Sequence, residues 1–151
     1  MGKRSTRENK NIYQLSREAM GFTREKAAEE MEIISDDRIE KIESERSLPH
    51  PDEILLMSRC YHAPDLCNYY CSHECPIGRL YVPEVRPQEL GQIALEAAST
   101  LNRLQKEKDR LIDIAVDGAI SEDEKEDFLR IREQLMQLSS TATALRLWVE
   151  K

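Results

Sequence analysis

Apolar residues recur along this chain mainly at three- and four-residue steps, the period of helices rather than strands. Ile12, Leu15 and Ala19 mark a first helix over Asn11–Met20, with Gly21 placed to close it. Thr23 reads as the N-cap of a second helix whose inner face is Ala27, Ala28 and Met31. Ser35 caps a third, with Asp36 and Asp37 at its positive end and Ile39 and Ile42 as the buried pair. Ser47-Leu48-Pro49-His50-Pro51 ends that helix. A fourth starts near Pro51, a favoured first position, and runs through Ile54, Leu55 and Met57 to Tyr61. Ala63-Pro64 opens a short Cys-rich fifth segment that reaches about Cys75.

The pattern then changes. Pro76-Ile77-Gly78 and Val82-Pro83-Glu84-Val85-Arg86-Pro87 predict an extended linker. From Gln88 onward there is no proline. Leu90, Ala94, Ala97, Leu101, Leu104, Leu111 and Ala115 follow a three–four alternation, interrupted at Lys108. Asp117-Gly118 predicts a turn, and Ser121-Glu122-Asp123-Glu124 a capping box. Phe128, Ile131, Leu135, Leu138, Ala142, Leu145 and Val149 continue the alternation through three heptads. These signals predict an all-α chain in four stretches: an arm (1–10), a five-helix domain (11–78) that includes the Cys-rich segment 60–75, a linker (79–87), and a long antiparallel helical hairpin (88–151). A two-helix hairpin buries only part of its apolar surface. Residues 88–151, with Trp148 as a further anchor, are therefore expected to form a homodimer; the other outcome is packing against the chain's own N-terminal domain.

Composition supports helices: 34% of residues are charged and 5% aromatic, with 5 glycines and 6 prolines. No apolar run approaches the ~20 residues that span a bilayer, and the first ten residues lack the apolar stretch of a secretory signal. The expectation is a soluble, cytoplasmic protein without membrane association. The net charge of −7 is shared by both halves, with 11 Lys/Arg against 14 Asp/Glu over residues 1–65 and 11 against 15 over the rest. Any surface that binds phosphate must therefore be local. The first ten residues are locally basic, with Lys3, Arg4, Arg7 and Lys10 against Glu8.

The run Gly21-Phe22-Thr23-Arg24-Glu25-Lys26-Ala27-Ala28-Glu29, followed by Ser35 and Ile39-Glu40-Lys41-Ile42-Glu43, resembles the xenobiotic-response-element (XRE) family of lambda-repressor-like helix-turn-helix domains. The likeness covers about residues 10–65. The resemblance implies sequence-specific binding of double-stranded DNA by a small transcriptional regulator, with residues of about 35–45 in the major groove. It places Ala28 at the crossing of the first two helices and Ile39 and Ile42 beneath the recognition helix. It implies a buried ion pair between Arg17 and Glu43. Arg24 falls where the family touches a phosphate. Asp37, Arg38, Lys41 and Ser44 are outward residues of the recognition helix, and Lys3, Arg4 and Arg7 would add phosphate contacts from the arm. Two features depart from the pattern: Glu32 stands where the family's turn usually has Gly, and Ile33-Ile34 lengthens the turn by one residue. The recognition helix is also acidic; Asp37 can accept from cytosine N4 or pair with Lys41 four residues on.

Cys60, Cys67, Cys71 and Cys75 fall within 16 residues, among His62 and His73. Cys67, Cys71 and Cys75 would share one face of a continuous helix, and Cys60 would complete a tetrahedral zinc site if the chain bends. The other reading is small side chains packing a short helix. No catalytic arrangement stands out, so no enzymatic activity is expected. Beside DNA binding stand two alternatives built on the same core, a protein-interaction adaptor and a metal- or redox-responsive regulator.

Overall fold

The computed structural model describes residues 9–151, so Lys3, Arg4 and Arg7 lie outside the described residues. All regular structure among the described residues is helical. The order is α1 (Ile12–Ala19), α2 (Arg24–Met31), α3 (Asp36–Glu43), α4 (Pro51–Cys60), α5 (Asp65–Tyr69), a π-turn (Tyr70–Glu74), α6 (Gly78–Tyr81), α7 (Leu90–Ala115) and α8 (Lys125–Glu150). Two compact units result. One extends to Glu84 and the other comprises Val85–Glu150.

Side-chain caps start the short helices of the first unit. Asn11, Thr23 and Ser35 accept from the backbone N–H three residues on, at 3.0, 3.1 and 3.2 Å. Each satisfies a donor the helix cannot. The ends share one device as well. Beyond α1, α3 and α4 the chain turns left-handed at Gly21 (φ +72°), Glu45 (φ +59°) and His62 (φ +49°). The next N–H then reaches back to the helix: Phe22 to Arg17 O, Arg46 to Lys41 O, and Ala63 to Ser58 O. These are Schellman endings. Only Gly21 adopts that φ without a side chain in the way, so Glu45 and His62 hold strained positions. A tighter kink separates α2 from α3: Glu32 has φ 59° and ψ −31°, and Ile33 N–H bonds Met31 O at 2.6 Å. This γ-turn of positive φ is rare and strained. It exposes Ile33 (80%) and buries Ile34 (3%), which accommodates the extra residue.

The core of the first unit is Tyr13, Ala27, Met31, Ile34, Ile39, Ile42, Ile54, Met57, Tyr61 and Leu66. Two expectations need correction here. α1 buries Tyr13, Gln14 and Arg17, while Leu15 (52% exposed) and Ala19 face out. Gln14 is buried because its amide is satisfied by Glu18, at 2.9 Å. In α2, Ala27 rather than Ala28 is fully buried; Ala28 is half-buried at the edge of the core.

The Cys-rich segment belongs to this unit. Tyr13 meets Tyr69 edge-on (6.1 Å), Tyr69 stacks on His73 (4.3 Å), and Tyr13 donates to Glu74 (2.9 Å). Asn68 donates to Pro83 O at 3.0 Å. Gly78 is buried, and a Cβ there would stand 2.0 Å from Cys71 O, so only glycine allows α6 to seat against the π-turn. The expected extended linker therefore begins with a helical turn, α6, and Val85 belongs to the second unit.

In that second unit α7 and α8 run antiparallel. Arg110 pairs with Asp127 (2.7 Å) and Arg130 with Glu107 (3.0 Å), partners whose numbers rise on one helix as they fall on the other. Gly118 (φ +72°) and Asp117, which accepts from Ala119 N–H at 3.1 Å, make the connecting turn. Glu124 reaches back to Ser121 N–H at 3.1 Å, so half of the expected capping box forms. The buried line is not the one the heptads predicted. Ile93, Thr100, Ile114, Ile131, Thr141, Ala144 and Leu147 are buried. Leu90, Ala94, Leu101 and Ala115 of the expected α7 seam are exposed, as are Leu135, Ala142, Leu145 and Val149 of α8. At the end of the hairpin Val85 and Ile93 pack with Ala144 and Leu147, residues that lie off the expected heptad line.

Candidate nucleic-acid interface

The buried carboxylate of Glu43 holds α1, α2 and α3 together. Arg17 grips it through both oxygens (Nε 2.6 Å, Nη2 2.9 Å) and donates from Nη1 to Phe22 O at 2.6 Å. Only 7% of the Arg17 side chain and 1% of the Glu43 side chain are exposed. Arg24, at the first position of α2, donates from Nε to the same carboxylate at 2.8 Å. Asn11 ties the start of α1 to Ile42 O at 2.9 Å. Glu43 thus receives two guanidinium groups, which compensates its burial.

A second clamp joins α3 to α4. Arg38 donates from Nε and Nη2 to Glu53 (2.7 Å each), from Nη1 to Ser47 Oγ (2.6 Å) and from Nη2 to Leu48 O (3.0 Å). Glu53 also accepts from His50 N–H at the start of α4, at 2.7 Å. Burial pushes the Glu53 carboxyl up, but the bonds from Arg38 and His50 outweigh it and leave the group below its usual value. Arg38, expected to contact a base or a phosphate, is engaged here with Glu53, Ser47 and Leu48. Its donors point into the junction of two helices.

What α3 leaves outward is Asp36, Asp37 and Lys41, all exposed. Lys41 carries no ion pair among the described residues, and the suggested Asp37–Lys41 pair is not formed. Ser44 is half-buried; its hydroxyl donates to Lys41 O (3.3 Å) and accepts from Arg46 Nε (3.0 Å). Arg46 also pairs with Glu40, which holds the Glu40 carboxyl below its usual value. On α2, Lys26 is taken by Glu30 (2.7 Å) and Glu29 (3.6 Å). The exposed side of α2, the γ-turn and α3 therefore presents Glu25, Glu29, Glu30, Glu32, Asp36 and Asp37 around one unpaired lysine. Sequence reasoning missed Arg46, Asn11 and Glu53. The signal for Glu53 was its place three residues after His50, the capping spacing.

Among the described residues no group of three His, Cys, Asp or Glu side chains stands as metal ligands would. Cys60, Cys67, Cys71 and Cys75 are free and half-buried. Cys67 contacts Ser58 Oγ at 3.4 Å, and Cys75 Sγ accepts from Gly78 N–H at 3.4 Å, capping α6. Burial pushes the Cys60 and Cys71 thiols up, Cys71 further so by Cys75 and Cys67. The π-turn at Tyr70–Glu74 separates Cys71 from Cys75, so Cys67, Cys71 and Cys75 do not lie along one straight helix.

No protein-family model, curated protein or solved structure matches the chain. Among the described residues no helix is long and apolar enough to cross a membrane.

Proposed function

We propose that the first unit is a helix-turn-helix domain that binds double-stranded DNA, as in the XRE family, and that the chain is a small transcriptional regulator. In this reading α1–α5 form the repressor-like domain, α2 and α3 the helix-turn-helix, α3 the recognition helix, and α7–α8 the hairpin. The observation that carries it is the Glu43 clamp. Arg17, Arg24 and Asn11 lock α3 at a set angle to α1 and α2 while Asp37 and Lys41 stay exposed along it. A rigid helix with an unencumbered outer face suits the major groove. Lys41 supplies the cationic contact. Asp37 accepts from a cytosine amine. Arg24 lends phosphate contact from guanidinium donors that Glu43 does not use, and Lys3, Arg4 and Arg7 add charge from the arm.

The test is binding of the full chain to DNA selected from a random pool, read by fluorescence anisotropy over a salt series. Affinity falls as salt rises, and Lys41→Ala weakens the selected site by about tenfold. Arg38→Ala lowers thermal stability rather than shifting base preference, because its bonds are internal. Absence of any binding at low salt overturns the reading.

A second reading, a protein-interaction adaptor on the same core, is favoured by one specific observation. The outward face of α2 and α3 is acidic, and Arg38 and Arg24 are engaged within the protein. Such a face repels phosphates and attracts a basic partner surface.

A further inference from the structure

The hairpin presents an apolar face that its own fold leaves open. On α7, Leu90 (42% exposed), Ala94 and Leu101 (53%) lie about 60–100° round the helix from the buried line through Ile93 and Thr100. On α8, Leu135 (45%), Ala142, Leu145 (44%) and Val149 (71%) repeat at heptad spacing beside the buried Thr141, Ala144 and Leu147. The antiparallel register places Leu101 near Leu135, and Leu90 and Ala94 near Leu145. Both stripes fall on the same side of the hairpin. Residues 134–145 contain no charged side chain, in a protein whose residues are 34% charged. Lys108 interrupts the stripe on α7, and Arg132 and Arg146 flank the stripe on α8.

We infer that this face is the contact between two copies of the chain, and that two hairpins pack on it as a four-helix bundle. The dimensions support that occupant. Each helix has 26 residues and is about 39 Å long, and two side by side are about 20 Å across. The face therefore offers on the order of 800 Å² per copy, what a stable dimer requires, with an apolar centre and charged rim. A stripe of leucines and small residues at heptad spacing is complementary to another such stripe. Side chains alternate in size along it, Leu against Ala, so ridges of one copy fit hollows of the other. The inference does not depend on nucleic acid and is tested without it.

Light scattering and sedimentation equilibrium on the full chain should give twice the 17.5 kDa of one chain. Leu101→Glu and Leu145→Glu, each at an exposed position, should return the mass to that of one chain with helical circular dichroism retained. Leu95→Glu, at a 74% exposed position on the outer side of α7, should leave the doubled mass intact. The inference is overturned by a parent that stays at one chain's mass, by a doubled mass in both charge variants, or by Leu95→Glu dissociating the pair as readily. Loss of helix together with loss of the doubled mass in these variants also supports it, since both positions are exposed within one chain and would tolerate a charge there.

Discussion

The two units are stabilised in opposite ways. The first packs short helices round a compact cluster of Ile, Met, Leu and Tyr, ends α1, α3 and α4 with backbone bonds, and pins α3 with two buried or half-buried arginine clamps. The second is two long helices with Thr100 and Thr141 in the buried line, ion pairs across the seam, and leucines left outside. The first unit pairs its buried charges within itself. The hairpin buries threonines and leaves leucines exposed.

This contrast predicts that the units unfold separately, and the sole tryptophan, Trp148, reports on the second. The largest effect is expected at the Glu43 clamp. Arg17→Ala removes the bidentate partner of a buried carboxylate, leaves it only Arg24, and should cost about 3 kcal/mol. The circular dichroism transition of the first unit should then drop while the Trp148 fluorescence transition stays put. A joint shift would show that the two are one cooperative body. Next in size is Gly78→Ala, whose Cβ meets Cys71 O. A loss of about 1–3 kcal/mol is expected in the first unit alone, read by urea titration.

The hairpin should respond to removal of a polar atom. Gln134 Oε1 is buried with no partner, so Gln134→Leu is expected to raise the Trp148 transition by about 1 kcal/mol. Glu45→Gly and His62→Gly should each stabilise the first unit by about 0.5–1 kcal/mol, since both residues occupy positive φ that glycine adopts without strain. The smallest effect is one of pH. Burial holds the Glu74 carboxyl above its usual 4.5, so the folded state binds this proton more tightly than the unfolded chain does. Its ionisation then disfavours folding at neutral pH, and the penalty fades as pH falls through the folded pKa and is gone below the unfolded one. Glu74→Gln keeps an acceptor for Tyr13 and should raise the melting temperature at pH 7 more than at pH 4.

Much of the first unit was legible because its signals are local. Thr23 and Ser35 cap where their spacing said, Gly21 closes α1, and Ile39 and Ile42 are buried. Arg17 and Glu43 meet as the family resemblance implied, although 26 residues separate them. Lys41 was legible as an exposed cation. Arg38 was not, since nothing within the helix reveals that Glu53, Ser47 and Leu48 await its guanidinium across a loop. The burial of Gln14 was not legible either, since a polar side chain is buried only where a partner such as Glu18 satisfies it.

The sequence by itself determined where helices begin and end, because caps, glycines and prolines act through bonds a few residues long. It also determined that the second half would be two long helices with a heptad stripe. Only the tertiary structure decided which stripe the chain buries. Val85 and Ile93 pack against Ala144 and Leu147, while Leu145 and Val149 of the expected seam stay exposed. The tertiary structure likewise decided that the Cys-rich segment breaks into a π-turn against which the buried Gly78 seats α6. Periodicity names the residues that can be buried, and only contacts between distant segments choose among them.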